Sequence, residues 1–99
     1  MDTKEFSATL SRDGYTEIST RNQAPLLENS AHSHPFDVRA LMLSGEMTLS
    51  YEGKTQVCRA GDVFTMQAGC EHAEKFGPDG ASYLAGRRQA VPPASRGSS

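Results

Sequence analysis

Large aliphatic side chains are scarce in this chain, and apolar residues of every kind make up 36% of its 99 residues. A chain of that length is one small domain, burying little more than half to two-thirds of its unfolded surface, so a separate catalytic domain is excluded. Scarce Leu, Ile, Val and Phe would suggest disorder only beside a high net charge, and the net charge is -2. The core is therefore expected to be thin, and a second subunit is expected to complete it. No surplus of positive charge is present to attract nucleic acid or anionic lipid; Arg21 and the pair Arg87 and Arg88 are isolated. No apolar run approaches the ~20 residues that span a bilayer. The opening MDTKEFSATL lacks the basic start and apolar stretch of a signal peptide. The expectation is a cytoplasmic protein that binds neither nucleic acid nor membrane. Cys58 and Cys70 are the only cysteines, and without an export signal they read as reduced thiols rather than a bridge.

Long helical periods also look absent, and what is present instead is punctuation. Glycines at 45, 53, 61, 69, 77 and 86 fall eight or nine residues apart, dividing short segments such as FDVRALML, EMTLSY, TQVCR and VFTMQ. Short strands separated by glycine turns predict an all-β sandwich or barrel. Turns are expected at Ser44–Gly45 and across Gly77–Gly80. At the N-terminus, Phe6–Arg12 and Tyr15–Thr20 show partial alternation around Asp13–Gly14, which predicts a hairpin. The segment from Arg21 to Ala31 reads as irregular. The barrel with its N-terminal strands is expected over residues 1–88, followed by a flexible tail over 89–99, rich in Pro, Ser and small residues.

His32 and His34 stand two residues apart, so on a strand both imidazoles point to one face. Such a pair can share one divalent ion, because neutral imidazole nitrogen binds it with no charge buried beforehand. His72 is the only other histidine, and it also stands where a strand begins. Strand ends distant in sequence can meet at one end of a closed barrel, and three ligands make a site. Asp37 is the nearest acid. In strict alternation from Phe36 it shares a face with Arg39, Leu41 and Leu43, although the turn set by Pro35 can swing its carboxylate toward the ion. The alternative for Asp37 is to accept hydrogen bonds from the turn or to pair with Arg39. Glu74 has two readings, an outer acceptor or general base near the ion, or a surface charge. Cys70 is either a soft ligand or an ordinary thiol. Met42, Met66 and Phe64 read as barrel lining.

The chain resembles the cupin superfamily over roughly Pro25 to Arg88. Its first motif is Gly, five residues, His-x-His, three or four residues, Glu, six residues, Gly; His32, His34 and Gly45 occupy their places. Its second motif is Gly, five residues, Pro-x-Gly, two residues, His, three residues, Asn; Gly61, Gly69 and His72 match. Leu26, Gln67 and Phe76 depart from the pattern, and the acidic ligand would fall on Val38 or Arg39, neither of which binds a cation. Asp37, one position earlier, is the displaced substitute.

The resemblance implies a small jelly-roll β-barrel, a double-stranded β-helix. It also implies one divalent transition metal per chain (Zn, Ni, Fe, Mn or Cu) on His32, His34 and His72, with Asp37 as a fourth ligand. The implied activity is a mononuclear dioxygenase or isomerase acting on a small organic molecule. The alternative is a non-catalytic ligand-binding or sensory barrel, like those of arabinose-type regulators but without room for their DNA-binding domain. A homodimer is expected, with the strand at Phe6–Arg12 pairing with or packing on the partner.

Overall fold

The structure, a computed structural model, describes residues 1–89. The expected tail therefore lies outside the described residues except for Gln89, which ends the last strand. The chain forms a helix α1 (Thr3–Arg12) and six strands: β1 (Thr16–Gln23), β2 (Glu28–His32), β3 (Phe36–Tyr51), β4 (Lys54–Arg59), β5 (Val63–Met66) and β6 (His72–Gln89). All pairings are antiparallel.

The long strands β3 and β6 run beside one another for nearly their full length and each serves two sets of neighbours. The first half of β3 pairs with β5 and with the second half of β6, which also carries β1. The second half of β3 pairs with β4 and with the first half of β6, which also carries β2. Two four-stranded layers thus share one pair of winding strands, which is the expected all-β jelly-roll.

The change of layer occurs where glycine was expected to reverse the chain. Ser44–Gly45 and Gly77–Gly80 are not turns; both lie within continuous strands, at register shifts flanking Gly45 and opposite Ala81. Gly45 has φ of 76°, and a Cβ there would sit 2.0 Å from the Gly80 carbonyl oxygen. Gly80 has φ of 70°, with the Gln23 carbonyl 2.3 Å from any added Cβ. These glycines let two backbones touch while bending, a use of glycine that sequence spacing cannot distinguish from a turn. Glu52–Gly53 is a true reversal: both residues have positive φ and Tyr51 pairs with Lys54, a two-residue hairpin of mirror-turn type. The segment expected to be irregular is mostly strand, supplying the end of β1 and all of β2 but its last residue, His32.

The N-terminal hairpin is the main correction. Thr3–Arg12 is a helix, capped by Asp2, whose carboxylate accepts the Glu5 N–H at 2.7 Å. Asp13–Gly14 ends it: Gly14 has φ of 86° and donates to Ser11 O, while Tyr15 N–H reaches Leu10 O at 2.8 Å. That pattern is a Schellman stop, with Leu10 and Tyr15 in contact beneath it. Phe6 and Leu10, one turn apart, are buried against Tyr15, Leu41 and Leu84 of the same chain. Burying each is worth roughly 1.5–3 kcal/mol. The segment is therefore neither a strand nor free to pair with a partner as one.

Alternation along β3 and β6 separates two apolar clusters. Ala40, Met42, Met47, Leu49, Phe64 and Phe76 belong to the barrel interior, while Leu41 and Leu84 face the helix. Met42, Met66 and Phe64 line the interior as the sequence predicts.

Candidate metal centre

His32 ends β2 and stands directly across from His72, the first residue of β6. His34 follows two residues later, just ahead of β3. The three rings gather at one end of the interior, with centroids 4.5 Å apart for His32 and His72, 5.0 Å for His32 and His34, and 5.3 Å for His34 and His72. Their ligating nitrogens lie within 4.8 Å of one another. A tetrahedral ion with bonds near 2.0–2.1 Å needs nitrogens about 3.3 Å apart, so small rotations of the rings would close the set.

The orientation of two rings is fixed by backbone. His32 Nδ1 lies 2.7 Å from Ser30 O, and His72 Nδ1 lies 3.1 Å from Cys70 O. A carbonyl only accepts, so each Nδ1 carries a proton, and in the neutral ring that leaves the Nε2 lone pair for an ion. His34 stacks on Phe36, with centroids 5.0 Å apart and planes 13° from parallel. Its basicity is lowered by burial and then by the neighbouring His32 and His72, with Glu74 opposing, which favours the neutral form that binds metal. His72 is the most buried of the three, at 4% exposure. The donor set, the Nδ1–H tautomers of His32 and His72 and the lowered basicity of His34 fit a divalent transition ion.

Asp37 is not brought to the cluster. Parity holds after Pro35, and the carboxylate lies on the face of Arg39 and Leu41, outside the barrel. It accepts from Ala68 N–H at 2.8 Å and from Arg88 at 3.0 and 3.2 Å. These donors, the Ala68 N–H foremost, hold its carboxyl below the usual carboxylate range. Arg39 pairs instead with Asp13 at 2.6 Å. Cys70 also contributes no ligand; its Sγ approaches Glu52 at 3.7 Å while its carbonyl orients His72. Both cysteines are free, and burial raises the Cys58 thiol.

The imidazoles open onto a cavity of about 240 Å³. Leu49, Phe64 and Met66 form apolar wall; Glu74 lines it too, accepting from Asn29 at 2.9 Å. Gln23 donates to the Tyr83 hydroxyl at 2.9 Å, and burial raises the phenol so that it keeps its proton. Arg21, Gln23, Tyr83 and Arg87 also line this space, and sequence reasoning missed them. For the last two the signal was the alternation Tyr83, Ala85, Arg87, which puts Arg87 inside and Arg88 outside.

The family model of the AraC-like ligand-binding domain matches residues 17–85. A protein of unknown function from Rhizobium leguminosarum bv. viciae 3841 is similar in structure, with TM-score 0.69 and 19% identity over 74% of this chain and 69% of its own. An RmlC-like cupin from Shewanella frigidimarina NCIMB 400 gives TM-score 0.64 and 20% identity over 74% and 65%. A cupin superfamily protein from Desulfitobacterium hafniense DCB-2 gives 0.65 and 22% over 74% and 66%. At such identities the likeness shows the fold alone, and the chain spans only 65% to 69% of the length of these structures. No curated protein sequence matches it.

Proposed function

The chain belongs to the AraC-like ligand-binding domain family, a cupin-type barrel, and from that premise we propose that it holds one divalent transition metal on His32, His34 and His72 and takes a small organic molecule in the adjoining cavity. The observation that carries this reading is the convergence of the three imidazoles, whose ligating nitrogens lie within 4.8 Å of one another, with two of the rings oriented by Nδ1 contacts to Ser30 O and Cys70 O. With Asp37 engaged elsewhere, three neutral nitrogens favour zinc, nickel or copper over iron or manganese.

A metal bound there supplies Lewis acidity and open coordination positions. The chain's own residues do the rest. Leu49, Phe64 and Met66 exclude water from the far wall, and Tyr83, held protonated, offers a hydrogen bond to a ligand oxygen. One oxygen of Glu74 is engaged by Asn29, leaving the other for a proton. The cavity opening onto the imidazoles favours an enzyme of the dioxygenase or isomerase class. The family match favours the second reading, a barrel that binds its ligand without turnover.

Cobalt substitution tests the shared part of both. Uptake of one Co²⁺ with a visible spectrum that shifts on adding azide supports an open three-histidine site; no uptake, or a spectrum azide leaves unmoved, contradicts it. We also propose a homodimer, supported by the exposed Val57 and Val63 and by the outer edge of β4, unpaired among the described residues. A monomeric mass at micromolar concentration would exclude that assembly. Among the described residues no helix is long and apolar enough to cross a membrane.

A further inference from the structure

Six arginines lie among the described residues. Four have carboxylate partners: Arg12 and Arg39 pair with Asp13, Arg59 with Glu46 and Arg88 with Asp37. The other two, Arg21 and Arg87, form no ion pair with a described residue, and both line the cavity that holds the histidines. The cavity's own carboxylates do not pair with them either: Glu74 is bonded to Asn29, and Glu17 is exposed.

Arg87 is half-buried and held in place. Its guanidinium carbon lies 4.4 Å over the Phe36 ring, and that ring stacks in turn on His34. Guanidinium, phenyl and imidazole thus form three layers, the last of which is a candidate metal ligand. Stacking covers a face of the guanidinium and leaves its in-plane N–H donors without a side-chain partner among the described residues, the geometry that grips a carboxylate with two parallel hydrogen bonds. Arg21 stands across from Tyr83 in the β1–β6 register, two residues along β6 from Ala85 and four from Arg87. Arg87 is partly buried and Arg21 is exposed, so the cavity carries one sheltered and one solvent-facing guanidinium, neither paired with a carboxylate of the described residues.

We infer that Arg87, assisted by Arg21, binds a carboxylate of the cavity's ligand. The ligand class is then a small organic anion whose carboxylate is set apart from the oxygen facing the three histidines. The cavity, below the roughly 300–1,000 Å³ of drug-sized sites, suits a molecule of a few carbons. This inference rests on the proposal that the cavity is the ligand site.

The test is calorimetric titration of the full chain, zinc-loaded, with succinate and with its uncharged counterpart succinamide. The variants are Arg87→Gln and, as a control that removes the same charge one residue away, Arg88→Gln. Succinate is expected to bind, to weaken about tenfold or more in Arg87→Gln and to stay within about twofold in Arg88→Gln, with succinamide weaker by at least the same tenfold margin. Zinc uptake is expected to be equal in wild type and Arg87→Gln. Absent succinate binding, equal affinity for succinamide, or equal losses in the two variants would overturn the inference. If wild type takes up no zinc, the metal proposal fails on its own, and the same titrations on zinc-free protein still decide the arginine's role by the same criteria.

Discussion

Along β6, Tyr83 and Arg87 point into the barrel while Leu84 and Arg88 point toward the helix, and the two sets treat their polar groups in opposite ways. On the outer face charges are closed on one another. Asp37 takes Arg88 and the Ala68 N–H, Asp13 takes Arg39, and Arg39 and Arg88 each lie 4.7 Å over the ring of Tyr15. On the inner face three imidazoles bring ligating nitrogens within 4.8 Å of one another, and the guanidiniums of Arg21 and Arg87 have no carboxylate partner among the described residues. Satisfied polar groups fix a helix to a sheet; unsatisfied ones beside a cavity await a ligand. One residue of register decides which role a side chain has.

The comparison breaks most visibly through the helix. Phe6→Ala should cost about 3–5 kcal/mol in urea unfolding, while the folded variant still binds one metal ion per chain. Loss of metal at temperatures where it remains folded would show that the two faces are not separable. Asp37→Asn should cost less, about 1 kcal/mol, because among the described residues the Ala68 N–H and a half-exposed Arg88 are its partners, and metal stoichiometry should not change.

Acid titration sharpens the same contrast. The Arg39 hydrogen bond and the Ala68 N–H respectively hold the Asp13 and Asp37 carboxyls below their usual values in the folded protein. Such groups stabilise the fold above their unfolded-state pKa, and that contribution is lost as pH falls through the lower folded-state values. Unfolding free energy should therefore decline below about pH 4, and Asp37→Asn should flatten the decline; an unchanged slope would remove Asp37 from the outer network. The smallest effect concerns Tyr15, whose hydroxyl is buried without a partner among the described residues. Tyr15→Phe should leave stability unchanged or raise it by up to about 1 kcal/mol, since it removes an unpaired donor and keeps the ring between the arginines.

The histidine cluster was legible because two residues of spacing on a strand fix a face, and because both motif spacings survive in this chain. Asp37 was half legible: alternation from Phe36 already placed it with Arg39 and Leu41, and the turn at Pro35 did not override the pleat. The helix was not legible. Phe6, Ala8 and Leu10 satisfy alternation as well as Phe6 and Leu10 satisfy a helical turn, and docking on Leu41 and Leu84, distant in sequence, decides between them. Gly45 and Gly80 were found but misassigned, since a bend inside a strand and a reversal between strands both ask for positive φ. Arg87 and Arg88 looked like one patch until the register of β6 separated them.

The central claim is that the inner histidines hold a metal and the outer aspartate does not. Elemental analysis of tag-free protein, set beside His72→Ala and Asp37→Asn, tests it most directly. One equivalent of a transition metal in wild type and in Asp37→Asn, with none in His72→Ala, is the predicted result. A wild type that holds no metal and takes none up on titration, or an Asp37→Asn protein that loses it as fully as His72→Ala, would contradict the account.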